Sequence, residues 1–171
     1  MEAEEKSFYF QVPSDLKNAV DIMDDQNQHF ATLSFHGSSL QKATVIDKQE
    51  KNELKGYVRG STSNWNIADS EDKEIGFLQR KGVIVSKILS ETYQYSKPHK
   101  RIYKIEANVR AKSYEIITPD GSVFAFFNRV KNGGEGATFQ LRIKEFRLPL
   151  SELILIVVGV HSNRLRSQKF E

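Results

Sequence analysis

Few residues in this 171-residue chain are arranged as catalysis would need them. Four histidines, His29, His36, His99 and His161, stand far apart, and none forms the H-x-H or H-x-x-x-H spacing that lets two imidazoles grip one metal ion. The chain has no cysteine, which excludes thiolate zinc sites, cysteine nucleophiles and disulfides, and is compatible with a reducing cytosol. There is no Gly-x-Ser-x-Gly elbow to raise a serine above a sheet, and no Gly-x-x-x-x-Gly-Lys-Ser/Thr loop to cradle phosphates. Gly133-Gly134-Glu135-Gly136 lacks the following Lys-Ser/Thr and lies between two strand-like runs, as a hairpin loop would. Asp24-Asp25 and Asp69 with Asp72 are the nearest approach to paired acids. They fall in polar turns, where aspartate is favoured because its carboxylate bonds nearby backbone N–H groups. The chain therefore reads as a non-enzyme without a cofactor or a metal.

The stretch from Tyr93 to Lys104 has a different chemistry. Lys97, Lys100, Arg101 and Lys104 are interleaved with Tyr93, Tyr95, Tyr103, Pro98 and His99. Basic and aromatic residues together can hold phosphates while rings stack on bases or sit among lipid headgroups; a solvated loop between two strands would have the same composition. Arg110, Lys112, Arg129, Arg142 and Lys144 fall on the polar side of alternating segments and extend the candidate anion-binding set. Charge along the chain agrees with this. Residues 1–85 carry 10 Lys/Arg and 14 Asp/Glu, a balance of −4, whereas residues 86–171 carry 15 and 8, a balance of +7. A basic half attracts phosphates, on a membrane or on nucleic acid, although no nucleic-acid-binding motif is present.

The elements that must position these residues are strands. Tyr103, Ile105, Ala107 and Val109 alternate with Lys104, Glu106, Asn108 and Arg110, and Phe139, Leu141 and Ile143 alternate with Gln140, Arg142 and Lys144. This is the period of half-buried antiparallel strands. An internal repeat organises them. Trp65–Asp69 and Ile75–Arg80 lie over Tyr114–Thr118 and Phe124–Arg129 at an offset of 49 residues, and Val20–Asp24 with Phe30–Leu33 lies 45 residues upstream of the first. Each unit is a strand reaching an isoleucine, a polar turn and a return strand; Ile46 and Leu54 give a weaker fourth match. Chance likeness among hairpins competes with a true repeat. Single hairpins cannot bury an apolar face, but several side by side can curl into a barrel or sandwich.

One segment departs from period two. After Pro149, Leu150 to Val160 is apolar on every side apart from Ser151, Glu152 and Gly159. Ser151 or a neighbour would cap a helix there, and His161-Ser162-Asn163 would end it; a buried strand is the rival reading. The longest apolar run, Leu153–Val160, is eight residues, well short of the ~20 a membrane helix needs. A helix apolar all round has to be enclosed by protein. The acidic start, Met1-Glu2-Ala3-Glu4-Glu5-Lys6, lacks the apolar core of a secretory signal.

The repeated hairpins, the segment Thr138-Phe139-Gln140-Leu141-Arg142-Ile143 and the final apolar run ending Val158-Gly159-Val160 together resemble the tubby C-terminal-like superfamily. That superfamily includes the plant LURP-one-related proteins and the phospholipid scramblases. The resemblance runs from about Phe8 to Arg166 and is greatest to compact bacterial members. It implies one mainly β domain over residues 1–171, a closed or nearly closed antiparallel barrel of about twelve strands around a central hydrophobic helix at 149–162. It also implies a non-catalytic role, since tubby proteins bind phosphoinositides through basic barrel residues and scramblases act on membrane phospholipids. No residue of tubby's lipid site can be carried onto a position here, and the absence of cysteine and of a calcium loop argues against scrambling. The expectation is a cytoplasmic binding module, peripheral to membranes, whose ligand is an anionic phospholipid headgroup or membrane surface. The alternative is a protein–protein interaction domain anchored by exposed Tyr93 and Tyr95.

Overall fold

Runs with apolar side chains at every second residue become strands, and the run that is apolar at every residue becomes a helix. A computed structural model describes residues 4–168 apart from 38, 50, 61–63, 82–83, 86–87, 90–91, 109–112 and 131–135. The strands are β1 (Lys6–Val12), β2 (Val20–Asp24), β3 (His29–His36), β4 (Lys42–Asp47), β5 (Glu53–Val58), β6 (Trp65–Asp69), β7 (Glu74–Arg80), β8 (Ile84–Val85), β9 (Ile88–Leu89), β10 (Thr92–Lys97), β11 (Arg101–Asn108), β12 (Ser113–Ile117), β13 (Val123–Val130) and β14 (Ala137–Ile143). One helix, α1 (Leu150–Gln168), follows.

Twelve strands close an antiparallel barrel in the order β1-β14-β13-β12-β11-β10-β7-β6-β5-β4-β3-β2, and β8 and β9 form a separate two-stranded hairpin. Closure leaves the barrel no unpaired edge. Chain order and spatial order nearly coincide, so β2–β7 form one continuous stretch of the wall and β10–β14 another, with β1 closing the barrel between β14 and β2. The charge asymmetry along the sequence thereby becomes an asymmetry across the molecule.

The repeat is physical. Ile22, Ile67 and Ile116 are all fully buried, and each stands at a shift in strand register. Opposite them are Ala31, Gly76 and Ala125, small residues that leave room for the isoleucine inside the barrel. The turns that follow have one design. Asn27, Asp72 and Gly121 occupy the left-handed region at φ 62°, 64° and 94°, which Asn, Asp and Gly tolerate better than other residues. Asp24 Oδ1 accepts the backbone N–H groups of Gln26 and Gln28, and Asp69 Oδ1 those of Glu71 and Lys73, all at 2.9 Å. In the third copy the Thr118 hydroxyl takes that place, accepting the Ser122 N–H at 3.0 Å. These acids are turn-formers, and no cluster of metal-ligating residues occurs among the described residues.

The helix runs inside the barrel. Leu153 to Val158 are completely buried, and the helix backbone lies closest to β4–β7. Pro149, which has no N–H to lose, starts it by accepting the N–H of Leu153 at 3.1 Å. Ser151 therefore lies within the first turn and is not the cap. His161-Ser162-Asn163, expected to end the helix, is instead inside it. Ser162 and Asn163 are buried with their polar groups satisfied: the Ser162 hydroxyl donates to the Leu40 carbonyl, and the Tyr93 hydroxyl to Asn163 Oδ1 at 3.4 Å. No helix among the described residues is long and apolar enough to cross a membrane.

Candidate anion-binding face

The β10–β11 hairpin sorts the basic–aromatic stretch by strand parity. Tyr93, Tyr95 and Lys97 alternate onto the inner side of β10, as Tyr103 and Ile105 do on β11. Tyr93 and Tyr95 are 1% and 0% exposed, so they cannot anchor a partner. This corrects the expectation of exposed tyrosines: their rings fill the space between the wall and α1. Gly76, on neighbouring β7, makes room for Tyr95, since a Cβ there would come within 2.5 Å of its ring and hydroxyl.

Lys97 leaves the outward set for the same reason. Its Nζ lies 2.7 Å from Glu152 Oε2, with both side chains almost wholly enclosed. The Tyr95 hydroxyl donates to the same carboxylate oxygen at 2.7 Å. Burial, reinforced by the Glu152 charge, raises the Tyr95 phenol far above its ordinary range and keeps it protonated. Glu152 is in the first turn of α1, where a negative charge is favoured by the helix dipole. The cluster is a tie between helix and wall, and its cation is already neutralised.

Other candidates remain on the surface. His99 and Lys100 turn the β10–β11 hairpin at positive φ, leaving Lys100, Arg101 and Lys104 exposed. On β13 and β14, Phe126 stands directly across from Arg142. The Arg142 guanidinium is 5.1 Å from the centre of the Phe126 ring and Lys144 Nζ is 4.9 Å from it. Two cations are thus held against one outward aromatic face, an arrangement stabilised by the ring quadrupole. Arg142 also approaches Glu5 at 3.9 Å. Arg129 has the inward parity but lies at the opposite rim, where it donates to the Gly136 carbonyl at 3.2 Å. Arg110 and Lys112 lie outside the described residues. The structure therefore groups Arg142 with Lys144, and Lys100 with Arg101 and Lys104. It separates Arg129 and removes Lys97.

No protein-family model matches the chain, and no match was found among the curated proteins. Among solved structures, its fold matches the X-ray structure of a protein from Arabidopsis thaliana with a TM-score of 0.59, covering 94% of this chain and 93% of that one. That plant protein is LURP-one-related, of the tubby-like type. The likeness is one of fold. At 9% identity it supports the twelve-stranded barrel with its C-terminal helix and carries no residue's role across.

Sequence reasoning missed Phe126 as the centre of the Arg142–Lys144 pair. Parity alone would have misled, since Phe124 and Phe126 share it: the register shift opposite Ile116 and Ile117 falls at Phe124, which is buried while Phe126 faces out.

Proposed function

We infer that this chain is a non-enzymatic binding module whose ligand is the anionic headgroup layer of a phospholipid membrane. The observation carrying this reading is that residues 92–143, with 9 Lys/Arg against 4 Asp/Glu, span one continuous stretch of the wall, β10–β14. Exposed cations on this stretch are not all neutralised by acids. Arg142 and Arg147 meet Glu5 at 3.9 Å and Glu145 at 3.3 Å, while Lys100, Lys104 and Lys144 are in no ion pair among the described residues. Unneutralised cations on one face attract a charged surface as a unit. The interior supports the non-catalytic part of the reading, since helix and tyrosine side chains fill the barrel where a larger one would hold a ligand. The protein-docking alternative loses its expected anchors, because Tyr93 and Tyr95 face inward.

Co-sedimentation with vesicles tests the reading. Vesicles of phosphatidylcholine with phosphatidylserine should pellet the protein at low salt and release it as salt rises, because the Debye length contracts to about 8 Å at physiological strength. Equal partitioning to purely zwitterionic vesicles would overturn it.

A further inference from the structure

Exposed large apolar side chains are few among the described residues: Ile46, Ile102, Phe146 and Leu165. Their positions are not random with respect to charge. Ile102 is the second residue of β11, between Arg101 and Lys104 and near Lys100. Phe146 follows β14, between Lys144 and Arg147, and is 48% exposed. Its ring rests edge-on against Phe8 at 6.4 Å, and Lys144 and Glu145 bond through their N–H groups to the Phe124 carbonyl. The segment is thus supported from below while its aromatic ring faces water.

Strand directions put both sites at one end of the barrel. β11 starts and β14 finishes at the end where the short turns 25–28, 70–73 and 118–122 lie. β11 and β14 are three strand spacings apart, about 14 Å. Glu145 neutralises part of the nearby charge by pairing with Arg147 at 3.3 Å, which leaves Lys144 as the cation beside Phe146. Apolar tips next to lysine or arginine are the chemistry of interfacial seating, the apolar atoms entering the headgroup–acyl boundary and the cations meeting phosphates.

We propose that Phe146 and Ile102 form a two-point membrane seat, so that the barrel stands on an anionic bilayer by the short-turn end of its basic half. This rests on the membrane-binding reading above and adds the orientation and the penetrating residues. Ile46 is the internal control. It is equally exposed and at the same end, but it stands on β4 across from Glu53 and next to Asp47, where an anionic surface is repelled.

The test uses Phe146→Trp, with Ile102→Trp as a second probe and Ile46→Trp as the control; the natural Trp65 is 1% exposed and gives a constant background. With vesicles of phosphatidylserine and brominated phosphatidylcholine, the first two should shift to the blue and be quenched, while Ile46→Trp should stay unchanged. Phe146→Ala should weaken partitioning about tenfold, the equivalent of about 60 Å² of ring no longer withdrawn from water. Pelleting with vesicles while both probes remain unquenched, or quenching of Ile46→Trp to the same degree, overturns the seat and leaves the membrane reading standing. Absence of pelleting overturns both.

Discussion

On the β2–β7 side of the barrel the helix backbone comes close to the strands; on the β10–β14 side large rings hold it away. Small residues line much of the first wall, including Ala31, Ala43, Gly56 and Gly76. Tyr93, Tyr95, Tyr103, Phe124 and Phe127 line the second, all 5% exposed or less. Beside aliphatic Ile22, Leu33, Ile67 and Leu78, the first wall buries the large ring of Trp65, and two glycines clear its space: a Cβ on Gly56 or Gly159 would come within 2.5 Å of its indole. The outer faces differ in a parallel way. Residues 20–80, over the first wall, carry 7 Lys/Arg and 10 Asp/Glu, with acids shaping the turns, whereas residues 92–143, over the second, carry 9 and 4. One hairpin design thus serves two purposes, because it constrains the inward isoleucine and the turn residues but leaves the outward positions open to any charge.

The most severe disruption should come from the element that both walls enclose. Ile156→Asp would place a carboxylate at a completely buried position and should cost more than about 4 kcal/mol. Folded, soluble mutant protein with native near-ultraviolet circular dichroism would contradict an enclosed helix.

The second wall's tie to the helix is next. Lys97→Met leaves the Glu152 carboxylate buried without its cation and should cost about 3–5 kcal/mol in urea unfolding, with much of that recovered in the Lys97→Met/Glu152→Gln double variant. Lys104→Met, on the same hairpin but outward, should change stability by less than about 0.5 kcal/mol.

Acid should weaken the rim where α1 packs on β14. Burial lowers His161 from 6.5 to about 4, helped by the charges of Arg129 and Arg164. Its ring packs on Phe139 at 5.1 Å. The unfolded chain binds the proton first, so this stability is whole above about pH 6.5 and is lost as pH falls towards about 4. The loss amounts to about 3 kcal/mol. Between pH 7 and 4 the stability of wild type should fall by about this amount more than that of His161→Leu, and parallel pH profiles would refute it.

Gly159→Ala probes the close approach on the first wall. Crowding against Trp65 should outweigh the gain in helix propensity and leave a net cost of about 1–2 kcal/mol. A stabilised variant would show that helix and wall are not in tight contact.

Much of this architecture was legible in the sequence, and the misreadings have physical causes. The repeat was readable because inward isoleucines and turn aspartates are required by geometry, so Ile22, Ile67 and Ile116 recur with their turns. The helix end was misplaced because polar residues ordinarily mark a terminus, whereas Ser162 and Asn163 find partners in Leu40 and Tyr93, far away in the chain. Tyr93 and Tyr95 were ambiguous because tyrosine suits either face. Parity could have decided the matter, since Lys97 shares their side of β10 and Glu152 is the only acid in the helical run that could neutralise it. The outward face stayed open because charge on a barrel's exterior carries no constraint from the fold.

The central claim is that membrane affinity belongs to one wall. It is tested most directly by charge reversal on each side, with Lys100→Glu/Lys104→Glu/Lys144→Glu compared against Lys48→Glu/Lys51→Glu/Lys73→Glu on phosphatidylserine vesicles at low salt. The first set should weaken binding at least tenfold, and the second, which changes net charge equally, should weaken it much less. Equal losses would mean that total charge alone attracts the protein and that neither wall is the binding face.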